Sequence, residues 1–263
     1  MGHAAPMTRT LLVALALAGP AHADPRIAVT MPALDGESDI TLSTTNALLV
    51  GSTLLAMRTD LRIRYSLRDR FELFANLPAF LNDAKVADSG LGNPQLGGRV
   101  YTRRSGVMFA ASFAGWIPVH DNADVSGGYE REKVLGLRDY HAAAPFASFG
   151  LFGDIRIENE RTFFQSELGA MFVADTSLAE THLELENLLL DLGVGAYLSS
   201  CLAWAIEGRV ARVPVRPAAR FDVALAAALA YETRHWQLRG RLHPTVGDDY
   251  LAVGVGVDIA RRF

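Results

Sequence analysis

The sequence lacks the features that would place it in several common classes of protein. Cys201 is the only cysteine, so no disulfide within the chain is possible. After residue 23 no run of about 18 or more apolar residues occurs, which excludes a transmembrane helix from that part of the sequence. Lysine is almost absent, and the formal net charge of −4 is too small to indicate a nucleic-acid partner.

The first residues contain the three parts of a secretory signal peptide. Arg9 supplies a positive charge, Leu11 to Ala18 form a short apolar stretch, and Ala21-His22-Ala23 is a small-x-small cleavage site. The apolar stretch is too short to span a bilayer as a helix. We therefore expect residues 1–23 to be a cleavable signal peptide that directs the chain out of the cytoplasm.

The remaining sequence divides into two parts. Residues 24–38, with Pro25 and Pro32, form an N-terminal segment that either enters the following domain as a partial plug or remains as a periplasmic tail. Residues 39–263 contain no low-complexity linker, and no internal repeat beyond the spacing of successive hairpins. We therefore expect them to form one domain.

Apolar residues alternate with polar or small residues along most of this domain. In Asp60 to Leu67, and again in Leu251 to Ala260, every second residue is a large apolar or aromatic one. Side chains on a β-strand point to opposite faces in turn, so each segment has one apolar face. Short links alternate with longer ones between the segments, and this is the layout of a bacterial outer-membrane barrel.

The pattern predicts an all-β fold, a closed antiparallel transmembrane β-barrel of about twelve strands. An even number returns both ends of the barrel chain to the periplasm. The expected strands are 40–49, 53–67, 69–79, 94–104, 106–118, 140–157, 162–174, 186–198, 201–212, 219–232, 235–243 and 250–263.

The expected location is the bacterial outer membrane. The predicted partners are outer-membrane lipids, lipopolysaccharide and the barrel-assembly machinery. Aromatic residues on the apolar face collect beside the short turns, where a girdle at the membrane interface is expected. Phe263 ends the last strand, as in the C-terminal signal of such barrels, whereas Arg261 replaces the apolar residue usual two positions before the end.

The opposite face of each strand is expected to line the lumen. Many of its residues are Gly or Ala, and its ionisable members are a mixture of acids and arginines. These candidates for contact with a solute are Asp60, Arg62, Arg64, Glu72, Arg99, Asp154, Arg156, Glu167, Asp191, Glu207, Arg209, Asp222, Arg239, Arg241 and Asp258.

Two interpretations of this face remain open. One is a narrow polar pore whose charges select or orient a small solute. The other is a network of arginine–carboxylate pairs that braces an effectively closed barrel with a role in membrane integrity. Eight strands enclose only side chains and sixteen leave a water channel, so about twelve lies between the two cases.

One stretch resembles a known family. Arg64 to Pro78 (RYSLRDRFELFANLP) is followed by Gly90 to Tyr101 (GLGNPQLGGRVY). Together they resemble the hairpin typical of the outer-membrane barrels grouped as transporters of the phenol-degradation meta-pathway, with Asn93 where Asp is usual and Pro94 inserted. The resemblance implies an outer-membrane barrel for the passage of small, organic or aromatic molecules.

Enzymatic and metal-dependent functions are not favoured. An outer-membrane lipid hydrolase needs a serine activated by a neighbouring histidine. No histidine after residue 23 is followed two residues later by serine, and no G-x-S-x-G motif occurs. His182, Glu184 and Glu186 share a face but fit a solvated acidic patch better than a metal site. We therefore predict a channel or passive transporter without a cofactor or metal.

Overall fold

A computed structural model of the chain describes residues 38–49, 55–67, 70–82, 90–119, 147–175, 182–213, 220–246 and 251–263. The predicted signal peptide and nearly all of the N-terminal segment lie outside these ranges, as do the first residues of the strand predicted at 140–157. Within the ranges no helix is long and apolar enough to cross a membrane.

The described residues form thirteen β-strands, because apolar and polar residues alternate along them with a period of two. The strands are β1 (Asp39–Leu49), β2 (Leu55–Leu67), β3 (Phe71–Asn82), β4 (Gly90–Leu91), β5 (Gln95–Arg104), β6 (Val107–Trp116), β7 (Ser148–Glu158), β8 (Thr162–Asp175), β9 (His182–Tyr197), β10 (Leu202–Val213), β11 (Arg220–Glu232), β12 (Trp236–Val246) and β13 (Leu251–Arg262).

Twelve of these strands close into an antiparallel ring, which confirms the predicted barrel. Each long strand pairs with its neighbours in sequence, and β1 pairs with both β2 and β13. The two-residue β4 adds to the edge of β3 next to β5. Closure leaves no strand of the ring with an unpaired edge, as a hydrocarbon environment requires.

A proline explains why β4 and β5 are separate. Gly92, Asn93 and Pro94 interrupt the strand, and a proline cannot donate to a β-ladder. The backbone is satisfied locally, since Gly92 N donates to the Pro78 oxygen at 2.8 Å. Asn93 Oδ1 accepts from the Val119 amide at 3.0 Å, which ties this stretch to the end of β6.

The outward face of the ring is apolar. Large residues on it remain about half exposed, including Phe113, Leu192, Leu225, Leu229 and Val255. The aromatics expected at the membrane interface are all at least partly exposed, and they are Tyr65, Phe71, Phe164, Trp204, Tyr231, Trp236 and Phe263. They lie near the rim that carries the short turns, called here the short-turn rim; the opposite one is the long-loop rim.

The two ends of the ring meet in a continuous ladder between β1 and β13. The pairing runs from Asp39 opposite Arg262 to Leu49 opposite Ala252. Phe263 N donates to the Ser38 oxygen at 3.2 Å and extends this ladder to the end of the chain. Arg261, unusual at its position, has its guanidinium 5.7 Å from the centre of the Trp236 ring, where it can make a cation–π contact.

Candidate functional site: the inner wall of the barrel

The inner wall contains most of the ionisable residues that the sequence assigned to it. All of the predicted lumen-lining residues are buried except Arg62 and Arg239, which are partly exposed, and Asp222, whose side chain is outside the described part. The list omitted Asp39, Arg58, Glu232, His243 and Arg262, which are also buried on this wall. The same alternation, extended along each strand to its end, identifies these five residues.

Acids and arginines alternate across β1, β2, β3 and β5 near the short-turn rim. Arg64 Nε donates to Asp39 at 2.9 Å, and its Nη1 lies 3.7 Å from Glu72. Arg99 Nη1 donates to the other oxygen of Glu72 at 3.0 Å. Each charged group in this series of ion pairs therefore has an opposite charge on the next strand, which offsets part of the cost of burial.

A second cluster lies beside the first on β2 and β3. Arg58 donates to Asp60 through Nη2 at 2.6 Å, although the two residues are on the same strand. Asn76 of β3 donates to the same carboxylate oxygen at 3.0 Å. Arg58 also lies over the Phe80 ring, with 5.8 Å between the guanidinium carbon and the ring centre. Its side chain is thereby held along the wall.

A third cluster crosses the closure between β13 and β1. Asp258 accepts hydrogen bonds from Arg239 and Arg241 of β12, the latter at 2.7 Å. Arg241 also donates to Ser43 of β1 at 2.8 Å and to Thr45 at 3.2 Å. These contacts join the last two strands to the first, so charge pairing reinforces the closure.

The wall formed by β7 to β10 holds two smaller groups. Arg156 donates to Glu158 and to the Tyr197 hydroxyl, both at 3.0 Å, and its guanidinium carbon is 4.2 Å from the centre of the Phe163 ring. Farther from the short-turn rim, Arg209 Nε donates to Asp191 at 2.9 Å. Both arginines therefore have acidic partners on this wall.

Several polar atoms of the wall have no such partner. Among the described residues, both carboxylate oxygens of Asp154, both ring nitrogens of His243, Thr245 Oγ1, Asn187 Oδ1 and Ser148 Oγ are buried and make no hydrogen bond with the protein. Buried polar groups nearly always have a partner, either protein or water. These atoms are therefore exceptions to that rule on the described part of the wall.

Large inward side chains lie on glycines of the neighbouring strand. Phe74 faces Gly97, Phe152 faces Gly169, Phe163 faces Gly195, His243 faces Gly254, and Arg241 faces Gly256. A Cβ atom added at any of these glycines would come within contact distance of the side chain that faces it. The glycines therefore provide room for the rings and the guanidinium that face them.

We expect Gly195→Ala to destabilise the barrel. The added Cβ would meet the Phe163 ring and lie 2.5 Å from the Trp204 backbone oxygen, so the ring or the strand must move. Such overpacking costs about 1–3 kcal/mol. The matched control is Gly153→Ala, where nothing lies within 4 Å of the new Cβ. Urea unfolding in detergent should show a loss for Gly195→Ala only, and equal midpoints would contradict the packing.

Apolar residues also occupy part of the inner wall, toward the long-loop rim. Phe74, Trp116, Phe152, Met171 and Leu189, called here the apolar patch, belong to one packed group together with two alanines. They come from β3, β6, β7, β8 and β9. The inner wall therefore carries both paired charges and an apolar patch.

No metal site emerges from the described part of the chain. Within it no group of three or more histidine, cysteine, aspartate or glutamate side chains could hold a metal ion. The side chains of His182, Glu184 and Glu186 lie outside it.

Comparison with known proteins gives the fold and no family. No family model matches the chain. No curated protein matches it either. Among solved structures, an outer-membrane channel from Pseudomonas putida F1 aligns with a TM-score of 0.65 and 14% identity, over 91% of this chain and 99% of that chain.

Two porins also align. The NanC porin gives a TM-score of 0.56 at 9% identity, over 84% of this chain and 100% of that chain. The KdgM porin, in a complex with disordered oligogalacturonate, gives 0.53 at 8% identity, over 83% and 97%. The chain has the fold of outer-membrane channels and porins. These neighbours are not enzymes, and no enzyme family is indicated.

Proposed function

We propose that the protein is a narrow passive channel for small molecules in the bacterial outer membrane. The observation that carries the proposal is the closed ring of twelve strands whose inner wall bears acids and arginines beneath an apolar outer face, because a water-filled passage through a membrane requires a polar wall of this kind. A barrel closed by bracing alone would have the same wall without space for a solute, and the conductance measurement described below separates the two.

The ion pairs are compatible with this function and favour a narrow passage. They neutralise most of the charges and fix the arginine side chains against the wall, where Arg58 and Arg156 also contact aromatic rings. The bracing role that the sequence left open is therefore part of the proposal, since the same pairs that stiffen the wall also shape the lumen.

We further propose that the solutes include small organic molecules. The apolar patch supports this, because Trp116 and Phe152 belong to an apolar part of the inner wall, and apolar and aromatic side chains predominate in the sites that bind small organic molecules. The resemblance of residues 64–101 to the phenol-degradation transporters supports it as well. Bound lipids and lipopolysaccharide would surround the apolar outer face, where Leu225 and Val255 are about half exposed.

Conductance in planar bilayers tests the channel. We expect refolded protein to give small, discrete conductance steps and to let small solutes into liposomes. Ala228→Phe, which places a ring on the inner wall of β11, should lower the conductance several-fold. Its neighbour Ala227 faces outward, so Ala227→Phe is the matched control and should leave the conductance unchanged.

Heat-modifiable gel migration should first show that both variants are folded. If Ala228→Phe does not fold, Ala228→Val makes the same comparison with a smaller side chain. Absence of both conductance and solute uptake in the folded wild-type protein would refute the channel and leave the closed, braced barrel.

A further inference from the structure

The inner wall near the closure carries more arginines than acids. The inward faces of β12, β13, β1 and β2 are called here the closure wall, and their described side chains include three aspartates and six arginines. The arginines are Arg58, Arg62, Arg64, Arg239, Arg241 and Arg262. Across the ring, the described inward side chains of β7 to β10 include two arginines and five acids. An anion inside the lumen is therefore attracted to the closure wall and repelled by the wall across from it.

Five of these six arginines have a carboxylate partner. The pairs are Arg58 with Asp60, Arg64 with Asp39, Arg262 with Glu232 of β11, and both Arg239 and Arg241 with Asp258. Arg62 is the exception, since its side chain makes no hydrogen bond or ion pair with the residues that the structure describes. The positive charge of Arg62 is therefore available for an anion that comes from outside this part of the chain.

Arg62 is also accessible from the lumen. It faces inward, because it lies directly opposite Thr41, a buried residue on the inward face of β1. Arg62 is partly exposed, whereas its inward neighbours on β2 are buried. The other partly exposed arginine of the closure wall is Arg239, whose side chain is 13% exposed against 2% for its partner Asp258. The two charged residues of this wall that are most accessible to a solute are therefore arginines.

Arg241 adds a fixed positive charge beside Arg62. Its guanidinium donates to Ser43 of β1 at 2.8 Å, and Ser43 is two residues from Thr41, which lies opposite Arg62. Two residues of a strand span about 7 Å, so the charges of Arg241 and Arg62 lie within electrostatic range of each other. An anion at Arg62 is therefore attracted by more than one guanidinium.

We propose that Arg62 binds the carboxylate group of small organic acids as they pass through the lumen. A guanidinium matches a carboxylate, because it can donate two parallel hydrogen bonds to the two oxygens. The excess of positive charge on the closure wall holds the anion on this side of the lumen. The inference rests on the proposed function, because the solute reaches Arg62 through the lumen, and it names one class of solute for that passage.

Ion selectivity in planar bilayers tests whether anions pass close to Arg62. The reversal potential under a KCl gradient gives the permeability of chloride relative to that of potassium. Arg62→Gln should lower this ratio by about twofold or more, because it removes one positive charge beside a narrow aqueous path. Arg62→Lys keeps the charge and should retain the ratio, whereas Arg62→Glu should lower the ratio further than Arg62→Gln does.

A titration with benzoate tests the binding of a carboxylate. Sodium benzoate added to the KCl solution should lower the conductance of the wild-type protein in a saturable way, because a bound benzoate delays the passage of other ions. Benzyl alcohol has the same ring without the charge and should have no such effect. Arg62→Gln should need about fivefold more benzoate for the same reduction, and Arg62→Lys an intermediate amount, because an ammonium lacks the two-pronged geometry of a guanidinium.

A matched control separates the site from general effects of charge. Arg104 is exposed on the outward face at the end of β5, so Arg104→Gln removes the same charge from outside the lumen. This variant should leave both the permeability ratio and the benzoate titration unchanged. Heat-modifiable gel migration should first show that each variant is folded. If Arg62→Gln fails to fold, the benzoate titration of Arg62→Lys provides the second test, with a weaker effect of benzoate expected.

An unchanged permeability ratio or an unchanged benzoate titration in folded Arg62→Gln would overturn the proposal, and so would an equal effect of benzyl alcohol on the wild-type protein. A barrel that conducts but does not respond to benzoate would refute this inference alone and retain the channel. A folded barrel that does not conduct would refute the channel, and this inference with it.

Discussion

Leu225→Arg should strongly impair assembly of the barrel, whereas Ala226→Arg, one residue farther along the same strand, should be tolerated. Leu225 is 55% exposed on the outer face near the middle of β11, where an arginine at the bilayer midplane costs about 2–4 kcal/mol. Ala226 faces inward and lies opposite Glu207. An arginine there would lie on the polar inner wall, with a carboxylate on the neighbouring strand, instead of in hydrocarbon.

The two variants introduce the same side chain at nearly the same depth, so a larger loss for Leu225→Arg reports the cost of an arginine on the outer face. Folding yield into lipid vesicles, measured by heat-modifiable gel migration, should fall sharply for Leu225→Arg and little for Ala226→Arg. Leu225→Met serves as the control for loss of the native side chain and should assemble normally. Equal damage from both arginines would contradict the assignment of faces.

Replacing Glu72 on the inner wall should produce a large loss of stability. Its carboxylate lies between Arg99 and Arg64, at 3.0 Å and 3.7 Å. Glu72→Ala would leave both guanidiniums short of an acceptor, and removing one partner of a buried pair costs about 3–5 kcal/mol. Arg64 retains Asp39, whereas Arg99 loses the acceptor of its 3.0 Å hydrogen bond.

A double-mutant cycle separates this penalty from the loss of packing. Glu72→Ala combined with Arg99→Ala should be markedly more stable than the sum of the two single losses predicts, because the double variant no longer buries an Arg99 guanidinium that has lost its Glu72 partner. Urea unfolding of all four proteins in the same detergent measures the coupling. Strictly additive losses would show that the pair contributes nothing to stability.

The faces and limits of most strands could be predicted because a strand repeats every two residues. β10, for example, spans Leu202–Val213, and the alternation predicted 201–212. A shift of one residue would turn every large side chain of a strand to the wrong environment, so hydrophobicity alone fixes the faces. The seven aromatics near the short-turn rim were predictable for the same reason.

Irregularities of the ladder were not predictable from this pattern. The register between β8 and β9 shifts between Met171 and Phe172, and this places Leu185 rather than Glu186 opposite Phe172. Apolar and polar residues alternate in the same way on both sides of such a bulge, so the sequence pattern does not show where the bulge lies. The break between β4 and β5 could be expected from Pro94. The pairing of the residues on either side of the break with β3 could not, because that pairing depends on where β3 ends.

The pairing of charges could not be derived from a list of inward residues. Arg58 binds Asp60 of its own strand, whereas Arg156 reaches Tyr197 on β9, two strands away. Such choices depend on the stagger between strands, which closure of the whole ring determines. The sequence identified Asp154 as inward-facing, but only the register shows that Glu167 and Asp191 lie in line with it.

The closure between β1 and β13 has a consequence for the order of assembly. Asp39 and Arg262 pair across nearly the whole length of the barrel chain, so their contact is among the most distant in sequence that the ladder makes. Contacts of this kind form slowly, because the intervening chain must first be ordered. If this closure forms after the rate-limiting barrier, Ser43→Ala should accelerate unfolding while leaving the folding rate nearly unchanged. The hydrogen bond from Arg241 to Ser43 would then slow unfolding and so lengthen the lifetime of the folded barrel.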